Sequence, residues 1–382
     1  MLGTSVKPAM LRWARERAGR SVRDLHTRFA KLAAWESGDA QPTLKQLEAF
    51  ARATYVPFGY LFLPEPPEER LPIPDMRTIR NRDISHSSPD LLETLHTMQC
   101  RQAFLREDLI EGESEPLGFV GSARPADDPE AVGEEMRRMV ALDDDWAGAV
   151  ATWREAVGEL RRAIEKLGVM AVINGVVGND THRKLDVEEF RGFALSDPYA
   201  PLVFVNGADA KSAQMFTLVH ELAHIWLGES ALTDADLASR PAPDIESWCD
   251  QAAAEFLVPA RKLKIRWPDV QRQESPFEVL ARHFKVSPIV AGRRARDMRL
   301  VSRETFFTFY QEYIARERRQ RSKTSGGDFY NNQNTRVGER FALQVIRAAK
   351  AGRVSFADAY DLTGLRGGAF QAYAKRLGVP LP

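Results

Sequence analysis

The chain is organised around the stretch Thr217-Leu-Val-His-Glu-Leu-Ala-His-Ile-Trp226, which places His220, Glu221 and His224 in the spacing H-E-x-x-H. Residues four apart on an α-helix lie about 40° apart around its axis, so both imidazoles project from one face and can bind one tetrahedral zinc ion. Glu221 is predicted on the same side, where its carboxylate can act as general base for a water at the open metal position. An apolar stripe opposite the histidines predicts a helix buried along its back and facing a cleft. The stripe consists of Met215, Leu218, Val219, Leu222 and Trp226.

A catalytic zinc ion needs a third protein ligand, and a second helical pattern at residues 244–259 offers one. Glu246 and Asp250 are four apart in this pattern and share a helix face. We predict that Glu246 binds the metal while Asp250 accepts the free ring N–H of one histidine and fixes its tautomer. The alternative is an ordinary pair of surface carboxylates.

The two patterns together resemble a known family. H-E-L-A-H followed by E-x-x-x-D-x-A-A-x-x-F-L-V-P is similar to the ImmA/IrrE group of zinc metallopeptidases, a branch of the gluzincins, over roughly residues 150 to 300. Members usually have Ala-Asn where this chain has Cys249-Asp250, a departure that leaves the Glu246 assignment intact. The resemblance implies a zinc endopeptidase that cuts repressors and pairs the edge strand of a small sheet with its extended substrate.

Composition sets the limits for the whole chain. With 382 residues, of which 44% are apolar and 28% charged, the chain is long enough for two or three globular domains. The 53 basic residues balance the 53 acidic ones, so net charge alone indicates neither nucleic acid nor membrane. Two cysteines cannot build a disulfide framework, and we find neither a long apolar run nor a secretion signal. We therefore expect a cytoplasmic protein without a membrane partner.

Residues 1–63 read as a string of short helices. Pro8 opens the first, a capping box at residues 21–24 starts the second, and Thr43 caps another. The segment at 31–43 resembles part of a λ-repressor-like (XRE) helix-turn-helix domain, and ten Lys/Arg against five Asp/Glu suit phosphate contacts. The chain between Leu25 and Trp35 is about four residues shorter than such domains require. DNA binding and a degenerate protein–protein module both remain open.

The remaining boundaries follow from composition and periodicity. Five prolines at 64–74 predict a linker at 64–88, before a peptidase domain at 89–302 that ends in a helix-turn-helix-like element at 276–302. Strand patterns at 169–177, 189–195 and 202–206 predict a small antiparallel sheet. A helical C-terminal region at 303–382 completes an α+β, mostly helical fold. Tyr199 is a candidate for stabilising the transition state, and a purely structural role is the alternative.

Two features lie beyond the peptidase pattern. Residues 293–323 hold ten Lys/Arg against four Asp/Glu, which suits DNA phosphates or an ordinary solvated helix face. Residues 327–377 resemble the tails of ImmA/IrrE-like antitoxins, which are proposed to pair with small PIN-like nuclease toxins. These helices either dock a partner or cap the peptidase core.

Two functions therefore stay in view. The first is a zinc endopeptidase acting on a regulatory protein, a repressor or a toxin–antitoxin partner encoded nearby. The second is an antitoxin or transcription regulator that binds a toxin or DNA and uses the peptidase fold as a scaffold. The general base Glu221 favours the first, because a scaffold has no need of it.

Overall fold

The computed structural model describes residues 6–69, 71, 87–233, 244–320 and 329–381. The chain divides into two compact units. Of the described residues, the first unit contains 6–69, 71 and 87–96, and the second contains those from Thr97 onward. The predicted linker falls largely outside the described residues, at 70 and 72–86. The described helices include none with the length and hydropathy that crossing a membrane requires.

The first unit is a small helical bundle. Its helices are α1 (Pro8–Arg17), α2 (Val22–His26), α3 (Leu32–Ser37) and α4 (Leu44–Thr54), followed by a 3₁₀ helix (Phe58–Phe62) and the start of α5 (Pro89–Glu111). Ser21 forms the predicted capping box at the start of α2, and Thr43 caps α4 as predicted and also forms a capping box with Gln46. The rings of Phe29, Trp35 and Phe50 pack against one another at the centre of the core.

The short spacing between Leu25 and Trp35 corresponds to two short helices in the structure. Helix α2 has five residues and α3 has six, and α3 ends at Gly38 in the left-handed conformation. Glu36 is buried on α3 and accepts two hydrogen bonds from the Arg15 guanidinium of α1, at 2.7 and 3.0 Å. Assignment of α2 and α3 as a DNA-reading pair stays a prediction.

The second unit combines twelve further helices in the described residues with a small sheet. The helices are α6 (Pro129–Met139), α7 (Trp153–Leu167), α8 (Lys211–Leu227), α9 (Asp244–Leu257), α10 (Ala260–Val270), α11 (Pro276–Phe284), α12 (Pro288–Asp297), α13 (Arg303–Gln320), α14 (Phe329–Val337), α15 (Glu339–Lys350), α16 (Phe356–Thr363) and α17 (Gly367–Arg376). The strands are β1 (Met170–Asn174), β2 (Val176–Val177), β3 (Asp180–Lys184), β4 (Gly192–Leu195), β5 (Leu202–Asn206) and β6 (Ala231–Thr233). The predicted α+β, mostly helical class is confirmed.

The main sheet is mixed, which corrects the expectation of an antiparallel one. Its strand order is β1-β5-β4-β6, with β4 antiparallel to both neighbours and β1 parallel to β5. A parallel pair needs a crossover longer than a hairpin loop, and the chain from β2 through β4 supplies it. Strands β2 and β3 form a separate antiparallel hairpin. The sequence prediction missed β3 because four of its five residues are exposed and show no apolar alternation.

Helix α8 is the centre of the second core. It packs on β4 and β5 on one side and on α7 and α9 on others. Every residue from Gln214 to Trp226 is buried, so the helix lacks the exposed front that the apolar stripe predicted. The reason is that both polar and apolar faces have neighbouring elements, which a one-dimensional pattern cannot reveal.

The C-terminal helices are part of the second unit. Helix α14 packs on β1, and Phe341 of α15 meets Phe104 of α5 with ring centroids 5.9 Å apart. Arg101 is buried and donates to the backbone oxygens of Arg336 and Leu362, both at 2.9 Å. Burial lowers the pKa of Arg101 to about 10. Residues 324–328, Thr-Ser-Gly-Gly-Asp, have a composition that predicts a flexible break, and they lie outside the described residues.

A buried carboxyl on α7, that of Glu165, is expected to make the stability of the second unit depend on pH. Burial raises the pKa of Glu165 to about 7, against the attraction of Arg161, whose Nη1 lies 2.7 Å from its carboxylate. A carboxyl with a raised pKa contributes stability that is complete below its unfolded pKa and is lost as pH rises through about 7. We expect the free energy of unfolding to fall by on the order of 2 to 3 kcal/mol between pH 5 and pH 8 from this group.

Urea denaturation at several pH values measures this dependence. Glu165→Gln should flatten the slope, whereas the exposed control Glu107→Gln should retain it. An unchanged slope in Glu165→Gln would assign the pH dependence to other groups.

Candidate metal centre

Two helices bring three donor side chains to one point. Helix α8 contributes His220 and His224, and α9 contributes Glu246. The two Nε2 atoms lie 3.3 Å apart, and the Glu246 carboxylate lies 3.3 Å from the Nε2 of His220 and 3.2 Å from that of His224. All three residues are buried, and together they form a group that can hold a metal ion.

The distances between the donor atoms can be compared with those expected around a zinc ion. Zinc binds imidazole nitrogen and carboxylate oxygen at about 2.0 to 2.1 Å, and a tetrahedron of that size has edges of about 3.3 Å. The distance of 3.3 Å between the two Nε2 atoms matches such an edge, and the Glu246 carboxylate faces both nitrogens, with Oε2 3.3 Å from His220 Nε2 and Oε1 3.2 Å from His224 Nε2. Two imidazole nitrogens and a carboxylate thus converge on one point at spacings compatible with nitrogen and oxygen ligands of zinc.

Asp250 lies behind His220, as predicted from its place four residues after Glu246. Its Oδ1 is 3.1 Å from His220 Nδ1, and its Oδ2 accepts a hydrogen bond from Arg293 Nη1 at 2.9 Å. A proton on Nδ1 directed at Asp250 leaves the Nε2 lone pair of His220 for the metal position. The structure thus brings together all four residues for which the sequence predicts metal binding or support.

The electrostatics of the donors follow from burial and mutual contact. Burial disfavours the charged form of His220, but hydrogen bonds with Asp250 and Glu246 outweigh it and raise its pKa. Burial lowers the pKa of His224, and the neighbouring His220 adds to the effect. Burial also opposes ionisation of Glu246, yet its hydrogen bonds with the two histidines lower its pKa. A bound cation would replace the proton on His220, so metal binding is coupled to proton release.

Glu221 lies between α8 and the sheet. It is fully buried, and an ideal Cβ placed on Gly192 of β4 would lie 2.7 Å from its Oε1 and 2.6 Å from Thr217 Cγ2. No larger residue fits at 192 without displacing the carboxylate or the strand, since the same Cβ would approach the backbone oxygen of Phe204 to 2.8 Å. Gly192 therefore permits the close approach of β4 to the proposed base.

Cys249 has no place among the donors. It is buried three residues after Glu246. Its burial, together with the nearby carboxylates, raises the pKa of its thiol well above the ordinary value. A protonated thiol is neither a metal ligand nor a nucleophile. Cys249 therefore serves as a small buried residue of the core.

Tyr199 is placed differently from the other candidates. It is half-buried in the turn after β4, where its backbone N–H donates to Asp197 Oδ1 at 2.9 Å. The described contacts give its side chain no hydrogen bond to His220, His224 or Glu246. A role in the transition state stays a prediction, and the geometry accords with the structural alternative.

Gly192 and Arg293 are site residues that sequence reasoning missed. A glycine inside a predicted strand signals a close backbone approach, so Gly192 carried a usable signal. Arg293 carried none, because it belongs to a run of arginines that reads as a solvated or DNA-facing surface. Arg294 in that run is buried against Glu255 and Glu130.

Two segments of the chain match known protein families. Residues 165–296 match the family model of the IrrE N-terminal-like domain, Peptidase_M78. This segment contains every donor described above, and the match supports both the predicted ImmA/IrrE resemblance and a metallopeptidase function. Residues 337–376 match a domain of unknown function, DUF8813. No curated protein sequence shows significant similarity to the chain.

Proposed function

We propose that this protein is a zinc-dependent endopeptidase of the H-E-x-x-H type. The observation that carries the proposal is the set of 3.2 to 3.3 Å separations among the donor atoms of His220, His224 and Glu246, within the segment that matches a peptidase family. Such a donor set leaves one tetrahedral corner for water or substrate, which distinguishes a catalytic zinc site from a closed structural one.

The chemistry divides between the metal and the chain. A zinc ion in this site would polarise a peptide carbonyl and acidify a water. Glu221 takes the proton of the attacking water on a carboxylate oxygen and passes it to the departing amine nitrogen. Asp250 holds His220 in the tautomer and orientation that binding requires. The buried surroundings of Glu221 strengthen its electrostatic interactions relative to those in water.

The substrate we propose is a regulatory protein encoded nearby, either a repressor or a toxin–antitoxin partner. This part of the proposal rests on the resemblance to ImmA/IrrE proteins and on the match of residues 165–296.

DNA is a proposed partner of the first unit. Four exposed cations lie on and beside α2 and α3, namely Arg20, Arg23, Arg28 and Lys31. Phosphate contacts of this kind give weak, salt-dependent affinity, and the six residues of α3 offer little for reading bases.

A second candidate is favoured by one observation. His220, His224, Glu221 and Glu246 are each at most 2% exposed, which is closer to a structural metal site than to an open cleft. In that case the metal stabilises a scaffold that binds a toxin or DNA as an antitoxin or regulator. The two functions differ in whether Glu221 is needed for turnover.

The metal site is tested by replacing its ligands. The purified chain is expected to hold one zinc ion, and His220→Ala or His224→Ala is expected to strip it, because two remaining donors bind zinc weakly. Elemental analysis measures the zinc content, with the exposed His182→Ala as the matched control that should keep it. Full zinc occupancy in both ligand variants would show that the site lies elsewhere.

A further inference from the structure

Helix α12 contacts Asp250, behind the proposed metal ligand His220, through the side chain of Arg293. Arg293 Nη1 donates to Asp250 Oδ2 at 2.9 Å, and Asp250 Oδ1 lies 3.1 Å from Nδ1 of the proposed ligand His220. We propose that Arg293 is a positioning residue. It holds the Asp250 carboxylate against Nδ1 of His220 and so sets the metal affinity of the site. This inference rests on the proposed zinc site and adds a residue outside it.

The contact with Arg293 restrains the orientation of the Asp250 carboxylate. One carboxylate oxygen faces the imidazole and the other faces the guanidinium, so the plane of the carboxylate is held from both ends. Without Arg293 the carboxylate keeps its 3.1 Å contact with His220 Nδ1 but gains rotational freedom. Arg293 also places a positive charge beside Asp250, which stands close to a second carboxylate, Glu246.

The open space beside this contact indicates that only a long side chain at position 293 can reach Asp250. A cavity of about 330 Å³ is lined by Asp250, Arg293, Arg294 and Arg296, among others. Arg293 is 23% exposed along this cavity, so a shorter side chain at 293 would leave Asp250 facing open space. The site therefore depends on the length of the arginine as well as its charge.

The two neighbouring arginines of α12 have other partners. Arg294 is 2% exposed and pairs with Glu255 and Glu130, which joins α12 to α9 and α6. Arg296 pairs with Asp297 and lies over the ring of Phe306. Arg296 shares the cavity and the helix with Arg293 without touching Asp250, so it is a matched control.

The experiment compares zinc affinity in full-length variants by competition with a chromogenic chelator. Arg293→Gln is expected to weaken zinc binding about tenfold, the lower end of the loss typical of residues that support metal ligands. Arg293→Lys retains the charge but is shorter, so it should recover only part of the affinity, while Arg296→Gln should match the wild type. The visible absorption spectrum of the cobalt(II)-substituted protein should change in Arg293→Gln and not in Arg296→Gln, because it reports the ligand geometry.

A double-mutant cycle tests whether Arg293 acts through Asp250. In an Asp250→Asn background, Arg293→Gln should change zinc affinity less than about twofold, since coupled residues are not additive. Equal affinities of Arg293→Gln and Arg296→Gln, or independent multiplying losses in the cycle, would overturn the proposal. If Arg293→Gln fails to fold, a partial loss of zinc affinity and an altered cobalt spectrum in Arg293→Lys support the proposal, and wild-type values of both in Arg293→Lys overturn it. Failure of the wild-type chain to bind zinc would instead remove the proposed metal site itself, and Arg293 with it.

Discussion

Glu221→Gln is expected to keep its zinc while peptide hydrolysis falls by a factor on the order of a hundred or more, the usual contribution of a general base. The amide has the shape of the carboxylate but cannot accept the proton of the attacking water. Glu221 is fully buried against β4 at Gly192, so the isosteric amide should be accommodated without displacing the strand. Zinc content and cleavage of a quenched fluorescent peptide library, measured on the same preparation, provide the two readouts.

The exposed Glu188→Gln is the control for this substitution and should retain both zinc and activity. Loss of zinc together with folding in Glu221→Gln would make this residue structural. Full hydrolysis in the variant would require another base. A wild-type protein that binds zinc and a partner without cleaving any substrate would favour the scaffold function.

Deletion of residues 325–382 is expected to abolish cooperative folding of the second unit. The deletion removes several side chains that are buried in it, among them Phe341, Val345, Ile346, Phe370 and Tyr373. At about 1.5 to 3 kcal/mol for each fully buried large apolar side chain, the loss is on the order of 10 kcal/mol, comparable to the whole stability of a domain. The deletion also removes both carbonyl acceptors of Arg101, those of Arg336 and Leu362.

Calorimetry of the full chain and the truncated chain measures the effect. Removal of residues 378–382 alone is the control, since the described residues after Leu377 lie outside the last helix and are at most half-buried. A truncated protein that stays folded and zinc-loaded, but no longer co-purifies with the product of an adjacent gene, would instead make these helices a docking surface. The packing of α14 on β1 and of Phe341 on Phe104 supports the capping role.

The sequence by itself determined the features that depend on local spacing. His220 and His224 project together because they are four apart on one helix, and Glu246 and Asp250 share a face for the same reason. The helix caps at Ser21 and Thr43 and the strand at Leu202–Asn206 were likewise predictable, because their signals lie within a few residues.

Only the tertiary structure decided the contacts between elements that are distant in the chain. The parallel pairing of β1 with β5, the burial of α8 on every side and the packing of the C-terminal helices all depend on which surfaces meet. Gly192 of β4 approaches Glu221 of α8, and Arg293 of α12 reaches Asp250 of α9. In both pairs the two elements are distant in the chain, and the periodicity of neither one indicates the contact. Such contacts are set by the packing of a whole core, whereas sequence periodicity describes only which face of each element is buried.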